Sequence, residues 1–547
     1  MSPISSRQKY WEKQRSGYTV KIKRTRNATR NIIFGGILKV YQILVPFLMR
    51  TLMTYFMGVQ YLGLNSLFTS ILHVLNLAEL GVGSAMVYSM YKPIAEDDTE
   101  TICALMRQYR LYYRLIGVFI AIIGLMVTPV VPSLISGEIP SDLNIYILYL
   151  LNLAATVFSY WLFAYKNSLL SAHQRTDITS KITIYVNTIQ FALQLWAVCI
   201  LKNYYVYLLI ALISQISVNI GTAVITSKKY PKYKPSGRLS SDKSSAINNR
   251  IKDLFIAKLG GVVLNSADTI VISTFLGLTV LAIYQNYYFI ITSVYGLIEV
   301  ILTSVTAGIG NSLIVETKEK NYNDMKKFTF MFVWLVGVCT CCFLGLFQPF
   351  MKVWMGEKLL LNFSAVICFC IYFFVYELTR LLNIFKNAAG IWHEDRFRPL
   401  VSSVVNLSLN LMSVRVLGVY GIILSTVIAL CVVELPWLIH NIFSTLFEHS
   451  LMKDYLKKLT TYILASIAAC ILTGILTSLV HLNDWGTFFT CLIICGVVPN
   501  LVFFALYYRQ REFKESLRMI DKMTKGKLQL EKRFKKYGNN NAEKRNE

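Results

Sequence analysis

Long apolar stretches separated by short polar breaks recur along the whole chain. About fourteen of them reach the roughly 20 residues that a helix needs to cross the hydrocarbon core. They fall near 31–56, 61–91, 111–136, 143–165, 178–201, 204–227, 253–276, 279–314, 328–350, 361–386, 398–415, 417–440, 459–481 and 486–508. The second and eighth are long enough to tilt or to continue as helix past the bilayer. The breaks alternate in charge. Nearly all of the 55 Lys and Arg fall to the termini and to every second loop, while Lys202, Lys352, Lys358 and Arg415 fall on the opposite side. The positive-inside rule then places both termini in the cytoplasm. The loops on the other face are minimal: GEIPSD, LGLT and HLND follow the third, seventh and thirteenth spans.

The expected architecture is an all-α polytopic membrane protein built from two similar halves. An offset of about 219 residues lays FMGVQYLGL on FLGLTVLAI, Lys39 on Lys258, Gly58 on Gly277 and Asn187 on Asn406, and brings spans one to six onto seven to twelve. An even number of spans makes both halves face the same way, related by a pseudo-two-fold axis along the membrane normal. The predicted organisation is a basic N-terminus (1–30), a six-helix bundle (31–227), a Pro/Ser/Gly-containing basic linker (228–252) and a second six-helix bundle (253–440). A loop with two additional helices (441–508) and a basic tail (509–547) complete it.

Composition supports this picture and removes others. The chain has 547 residues, 55% hydrophobic content and a mean hydropathy of +0.49, far too apolar for a soluble domain. The net charge of +25 follows from topology and from attraction to anionic lipid headgroups, so nucleic acid is not an expected partner. The 11 Cys show no metal-ligand spacing and read as small packing residues. No phosphate-cradling Gly-rich Lys motif is present, which excludes ATP hydrolysis of that type. The polar, basic opening is unlike a cleavable signal peptide.

Four cations, Lys39, Arg50, Lys258 and Arg380, stand within apolar spans, where charge lines a cavity or pairs with a partner. Lys39 and Arg50 are about three turns and about 16 Å of rise apart on one helix, with Pro46 between them. Such a basic stripe suits an anion moving along a hydrated path; the competing reading is that each cation is held by a carboxylate. Glu79 and Glu299, near the cytoplasmic ends of spans two and eight, and Glu377, three residues before Arg380, are the candidate partners in gating or coupling. Asp268 is a further candidate for a coupling proton or cation. Gly81 and Gly83 permit close approach or a hinge. Tyr284, Tyr287 and Tyr288 are candidate stacking platforms for sugar rings, against the simpler reading of Tyr and Trp as interface belts.

The run YLGLNSLFTSIL followed by LNLAELGVGSAMVYSMYKPIAE, at about 60–96, resembles the second span and first cytoplasmic loop of bacterial polysaccharide transporters. These are O-antigen-type flippases of the multidrug/oligosaccharidyl-lipid/polysaccharide exporter superfamily. The resemblance implies two six-helix bundles in a V, with two helices beside them, in the bacterial cytoplasmic membrane. It implies a transporter, not an enzyme, that turns an undecaprenyl-pyrophosphate-linked glycan outward by alternating access. A polysaccharide polymerase and other assembly proteins are the implied partners. Lys39, Arg50, Lys258, Arg380 and Tyr284 are then expected to meet substrate, without a metal or organic cofactor and with H+ or Na+ as a coupling ion. Flippases for lipid-linked peptidoglycan precursors, and cation-coupled exporters of small molecules, remain open alternatives, whereas outer loops of about a dozen residues at most leave little room for a glycan-polymerising enzyme.

The topology has a direct check in reporter fusions expressed in a bacterial host. A reporter that is active only outside the cytoplasm should work when fused after Pro140 and fail when fused after Lys234; the opposite pattern would invert the orientation.

Overall fold

The computed structural model describes residues 24–137 and 139–523, so most of the basic N-terminus and the end of the basic tail lie outside the described residues. Every regular element among the described residues is helical. Among the described residues thirteen helices are long and apolar enough to cross a membrane, or up to 14 if a bent pair counts as one span. This is the all-α multi-pass fold that the hydropathy pattern predicts.

The chain divides into two compact units, 1–285 and 286–547. The first contains α1 (Arg24–Phe56), α2 (Val59–Leu75), α3 (Val82–Glu96), α4 (Thr99–Val127), α5 (Ile145–Trp161), α6 (Asn167–Ala172), α7 (Thr176–Trp196), α8 (Tyr204–Lys229) and α9 (Ser241–Leu276). Helix α1 packs on α7, α7 on α8, α8 on α5 and α5 on α4. Helix α9 packs along α2 and α3, so the seventh span joins the N-terminal helices although the repeat pattern begins a new bundle at 253. Gly81 explains the close approach: a Cβ there would lie 2.7 Å from Leu254 Cβ and 3.0 Å from the Ile251 carbonyl oxygen on α9. The outer end of α9 is clamped as well, with Ser136 N–H donating to the Ser273 carbonyl at 3.0 Å and Ser273 Oγ donating to the Leu134 carbonyl at 2.8 Å.

Local chemistry sets where helices stop. The predicted second span, 61–91, is not one helix: a 3-10 turn at Asn76–Glu79 ends α2, and Gly81 at φ 87° reverses the backbone before α3. That dihedral favours glycine because it has no Cβ to clash. Asp98 caps α4 by accepting from Thr101 N–H at 2.9 Å, and hydrogen bonding from the Thr101 side chain, with that N–H, holds its carboxyl below the usual range. The linker expected at 228–252 is shorter than its composition suggests, because helix resumes at Ser241.

The second unit contains most of α10 (Leu278–Val315), with α11 (Lys318–Met355), α12 (Phe363–Ala389), α13 (Arg398–Leu417), α14 (Val419–Ala429), α15 (Leu435–Thr445), α16 (His449–Ser478), α17 (Asp484–Tyr507) and α18 (Arg511–Met523). A π-helical turn at Leu430–Glu434 joins α14 to α15 just before Pro436, which has no N–H to continue an α-helical ladder. The last two long helices of the unit, α16 and α17, pack against α11. Glycines make room for them: a Cβ on Gly337 would meet Phe503 at 2.6 Å, and one on Gly345 would meet Cys495 Sγ at 2.6 Å. Helix α18 docks on the same side, where the Phe513 ring stacks 5.7 Å from Trp334 and Glu515 pairs with Lys327 at 3.4 Å.

A buried ionic network ties α12, α13 and the α14–α15 turn together. Arg398 donates to both oxygens of Asp395, at 2.6 and 2.8 Å, and also pairs with Glu434. Lys386 reaches Asp395 at 3.0 Å, and Arg398 Nη2 donates to Asn383 Oδ1 at 3.0 Å. All four charged residues are at most 7% exposed. Two cations and two anions cancel, which is the condition under which such burial is tolerated. Asp395→Ala leaves two buried cations short of their anion. It should cost about 3–5 kcal/mol, the range for breaking a buried pair, read as a large drop in melting temperature of the detergent-purified protein.

Candidate functional site

The charged residues expected to act on substrate fall into two groups, one in each unit. Lys39 is half-buried on α1 and makes no hydrogen bond or ion pair among the described residues. Arg50, three turns further along α1 and beyond Pro46, is half-buried; its Nη1 donates to the Gln285 carbonyl at 3.5 Å, and Tyr207 lies within electrostatic reach. Lys258 on α9 is exposed, donates to Ser84 Oγ at 3.3 Å and acts electrostatically on Glu79.

Glu79 sits at the end of the 3-10 turn in a cage of tyrosines. Tyr113 donates to its Oε1 at 3.0 Å, and Tyr109 donates to Tyr113 at 2.7 Å. Tyr160 approaches the ring of Tyr113 edge-on at 5.3 Å and donates to Asn76 Oδ1 at 3.2 Å. Gly83 leaves the room for this arrangement, since a Cβ there would stand 3.1 Å from Tyr109 Oη and 3.2 Å from Glu79 Oε1. The motif LAELGVGSA thus does more than allow helix approach: its carboxylate and its glycines are parts of one polar cluster. Tyr109 and Tyr113 escaped the sequence reading, although their spacing of four places them on one helix face.

Asp268 is half-buried on α9. Tyr284 is only 4% exposed, so its ring presents no open face for a sugar in this conformation. Its neighbour Tyr287 is also buried, donating to Gln348 Oε1 at 3.2 Å and accepting from Leu361 N–H at 3.2 Å. These rings pack, and the Tyr287 hydroxyl is used inside the protein.

In the second unit Arg380 has the arrangement of the competing reading. Its Nη1 donates to Glu377 Oε1 at 2.7 Å and to the Tyr295 carbonyl at 3.0 Å, while Nη2 pairs with Glu299. The guanidinium also lies 5.2 Å from the Tyr295 ring centre and 5.9 Å from that of Tyr376. Its fork is thus occupied by two carboxylates, one from its own helix α12 and one from α10. Glu377 is fully buried, and its Oε2 has no hydrogen-bond partner. No group of three or more His, Cys, Asp or Glu among the described residues is placed to hold a metal ion.

No family model and no curated protein matches the chain. Solved structures do. The chain is similar to the lipid II flippase MurJ in its inward closed conformation, at 16% identity and a TM-score of 0.63, covering 87% of this chain and 99% of that one. It is similar to the inward-facing conformation of a multidrug resistance MATE family transporter of the MOP superfamily, at 14% identity and a TM-score of 0.60, with 77% and 99% covered. A MOP superfamily transporter from Pyrococcus furiosus, whose binding pocket is described as having reverse polarity that suggests a different function, aligns at 13% identity and a TM-score of 0.50, with 78% and 96% covered. The chain therefore shares its fold with multi-pass transporters of the MOP superfamily.

The two carboxylates on Arg380 should separate in a stability assay. Glu299 is about half exposed, so Glu299→Gln should change stability by about 1 kcal/mol or less. Glu377→Ala removes the buried partner and should cost about 3 kcal/mol or more. Thermal melting of the purified variants checks the order; equal effects would show that Arg380 does not depend on the buried acid.

Proposed function

We propose that this protein is a flippase that turns a lipid-linked, pyrophosphate-bearing oligosaccharide across the bacterial cytoplasmic membrane by alternating access. The cargo class is an undecaprenyl-pyrophosphate-linked glycan. The observation that carries the reading is Lys39: an ammonium within a membrane span, without an ion-pair partner among the described residues, on a helix whose 24-residue apolar stretch contains no acid. An ammonium at that depth is costly unless it meets water or an anion. A pyrophosphate is the kind of anion that Lys and Arg hold by charge-assisted hydrogen bonds. The similar fold of a lipid II flippase supports a lipid-linked substrate as such.

In this reading Lys39, Arg50 and Lys258 meet the pyrophosphate. Glu79, in its tyrosine cage beside Lys258, competes with the cargo for that lysine and so couples loading to the local charge state. The Glu377–Arg380–Glu299 group holds α10 to α12 and releases them when Glu377 takes up a proton, with H+ as the coupling ion. The membrane potential adds about 2.3 kcal/mol per charge per 100 mV to outward movement of the anion. A polysaccharide polymerase on the far side of the membrane would receive the product. A second reading, a proton-coupled exporter of small cations, is favoured by the two enclosed carboxylates Glu79 and Glu377.

Reconstituted vesicles separate the two. Flipping of a fluorescent polyprenyl-pyrophosphate oligosaccharide should fall at least tenfold in Lys39→Ala, and further in Lys39→Glu, while both variants insert and elute as the parent does. Full activity in both variants would overturn the reading. Uptake of a cationic dye that is abolished by Glu79→Gln, with no lipid flipping, would establish the exporter instead.

A further inference from the structure

A second basic site lies away from the residues assigned to cargo, at the end of the first unit that carries the basic loops. Helix α4 places Arg107, Arg110 and Arg114 three and four residues apart, which sets them on one face. The segment between α8 and α9 folds back along this helix. Ser236 N–H donates to the Cys103 carbonyl at 3.3 Å, Arg107 Nη1 donates to the Gly237 carbonyl at 2.8 Å, and Lys232 pairs with Asp97 at 2.5 Å. The first turns of α9 close the other side, with Gln108 Nε2 donating to Ser244 Oγ at 2.9 Å and Tyr112 donating to Asn248 Oδ1 at 2.5 Å.

These contacts leave a groove of about 640 Å³ into which all three arginines and Arg238 of the connector project, and no Asp or Glu lines it. Lys166, which acts electrostatically on Arg110, adds to the positive field. Helix-to-connector hydrogen bonds account for Arg107 in part. The concentration of guanidinium groups without an acid is otherwise unbalanced, and topology alone does not require a walled groove.

The apolar side of the same helix decides what kind of anion fits. Continuing along the face that bears Arg110 and Arg114, the residues are Leu111, Leu115, Val118 and Ile122, with Phe119 beside them, and they are 44–58% exposed. Within one turn the surface passes from guanidinium groups to bare hydrocarbon. That is the profile of a headgroup-to-acyl boundary, and basic pockets beside membrane helices on this side hold polyanionic lipid headgroups. We propose that the groove between α4, the 230–240 connector and the start of α9 binds a phospholipid whose headgroup carries two phosphates. Its phosphates meet Arg110, Arg114 and Arg238, and its chains lie along Leu115, Phe119 and Ile122. Binding there fastens the connector to α4 and so steadies the first unit.

The test uses the full-length protein in mild detergent, titrated with a diphosphate lipid of the cardiolipin type, with phosphatidylglycerol, with phosphatidylethanolamine and with inorganic pyrophosphate. Native mass spectrometry counts bound lipid, and melting temperature reports its effect. The diphosphate lipid should bind at least tenfold more tightly than phosphatidylglycerol and should raise the melting temperature by several degrees, whereas pyrophosphate alone should do little. The double variant Arg110→Gln/Arg114→Gln, which spares the Arg107 contact to the connector, should lose at least tenfold in affinity for that lipid. Arg238→Gln, on a different element, should lose affinity too and serves if the double variant does not fold. Undiminished lipid binding in the variants that fold would overturn the proposal. Pyrophosphate binding as tightly as the lipid would also overturn it, because the site would then belong to a soluble phosphate compound. Loss of flipping by Lys39→Ala does not enter either readout, so this site and the cargo assignment stand or fall separately.

Discussion

A charge inside a membrane must be cancelled, hydrated or moved to an interface, and the interior of this protein is arranged around that requirement. The second unit meets it by cancellation. Lys386 and Arg398 are matched by Asp395 and Glu434, and Arg380 is held between Glu377 and Glu299. The first unit meets it differently. Its α1 carries Lys39 and Arg50 with no acid in the apolar stretch, Asp177 is buried against Arg175, and Glu79 is surrounded by tyrosine hydroxyls and reached by Lys258 through electrostatics. The second unit is thus tied across its helices by ion pairs, whereas in the first Lys39 has no ion-pair partner among the described residues.

Helix breaks fall where this chemistry needs them. Gly81 turns the backbone immediately after Glu79, which fixes the carboxylate at a helix end instead of burying it in mid-span. In the second unit the π-helical turn before Pro436 ends on Glu434, the partner of Arg398. In both cases an irregular backbone step lies next to a charged side chain. An interruption in the ladder lets a polar group leave the regular face of the helix and reach a partner that an unbroken helix would not offer. The buried network and the tyrosine cage both depend on such steps.

Much of the architecture was legible in the primary structure. The spans from α4 to α17 lie close to the hydropathy maxima, because a helix that crosses lipid must be apolar over a fixed length. Glu377 and Arg380 read as a pair because they are three residues apart on one helix. Glu299 as the other hand on Arg380 did not, since it comes from a different helix and no local spacing encodes it. Likewise Asp395 and Glu434 lie 39 positions apart in the sequence, so no local spacing brings Glu434 to Arg398. Tyr284 shows the converse: an aromatic residue in a promising cluster is a core residue when its neighbours close over it.

What the sequence by itself determined is the membrane-spanning class, the number and order of spans and the positions of the cations within them. These depend on composition and on distance along the chain, which a one-dimensional pattern carries in full. Only the tertiary structure decided which cations are neutralised, that α9 packs with the N-terminal helices, and that Arg107, Arg110, Arg114 and Arg238 share one groove. Ion pairing and close approach depend on distances of a few ångströms between residues far apart in sequence, and those are set by packing.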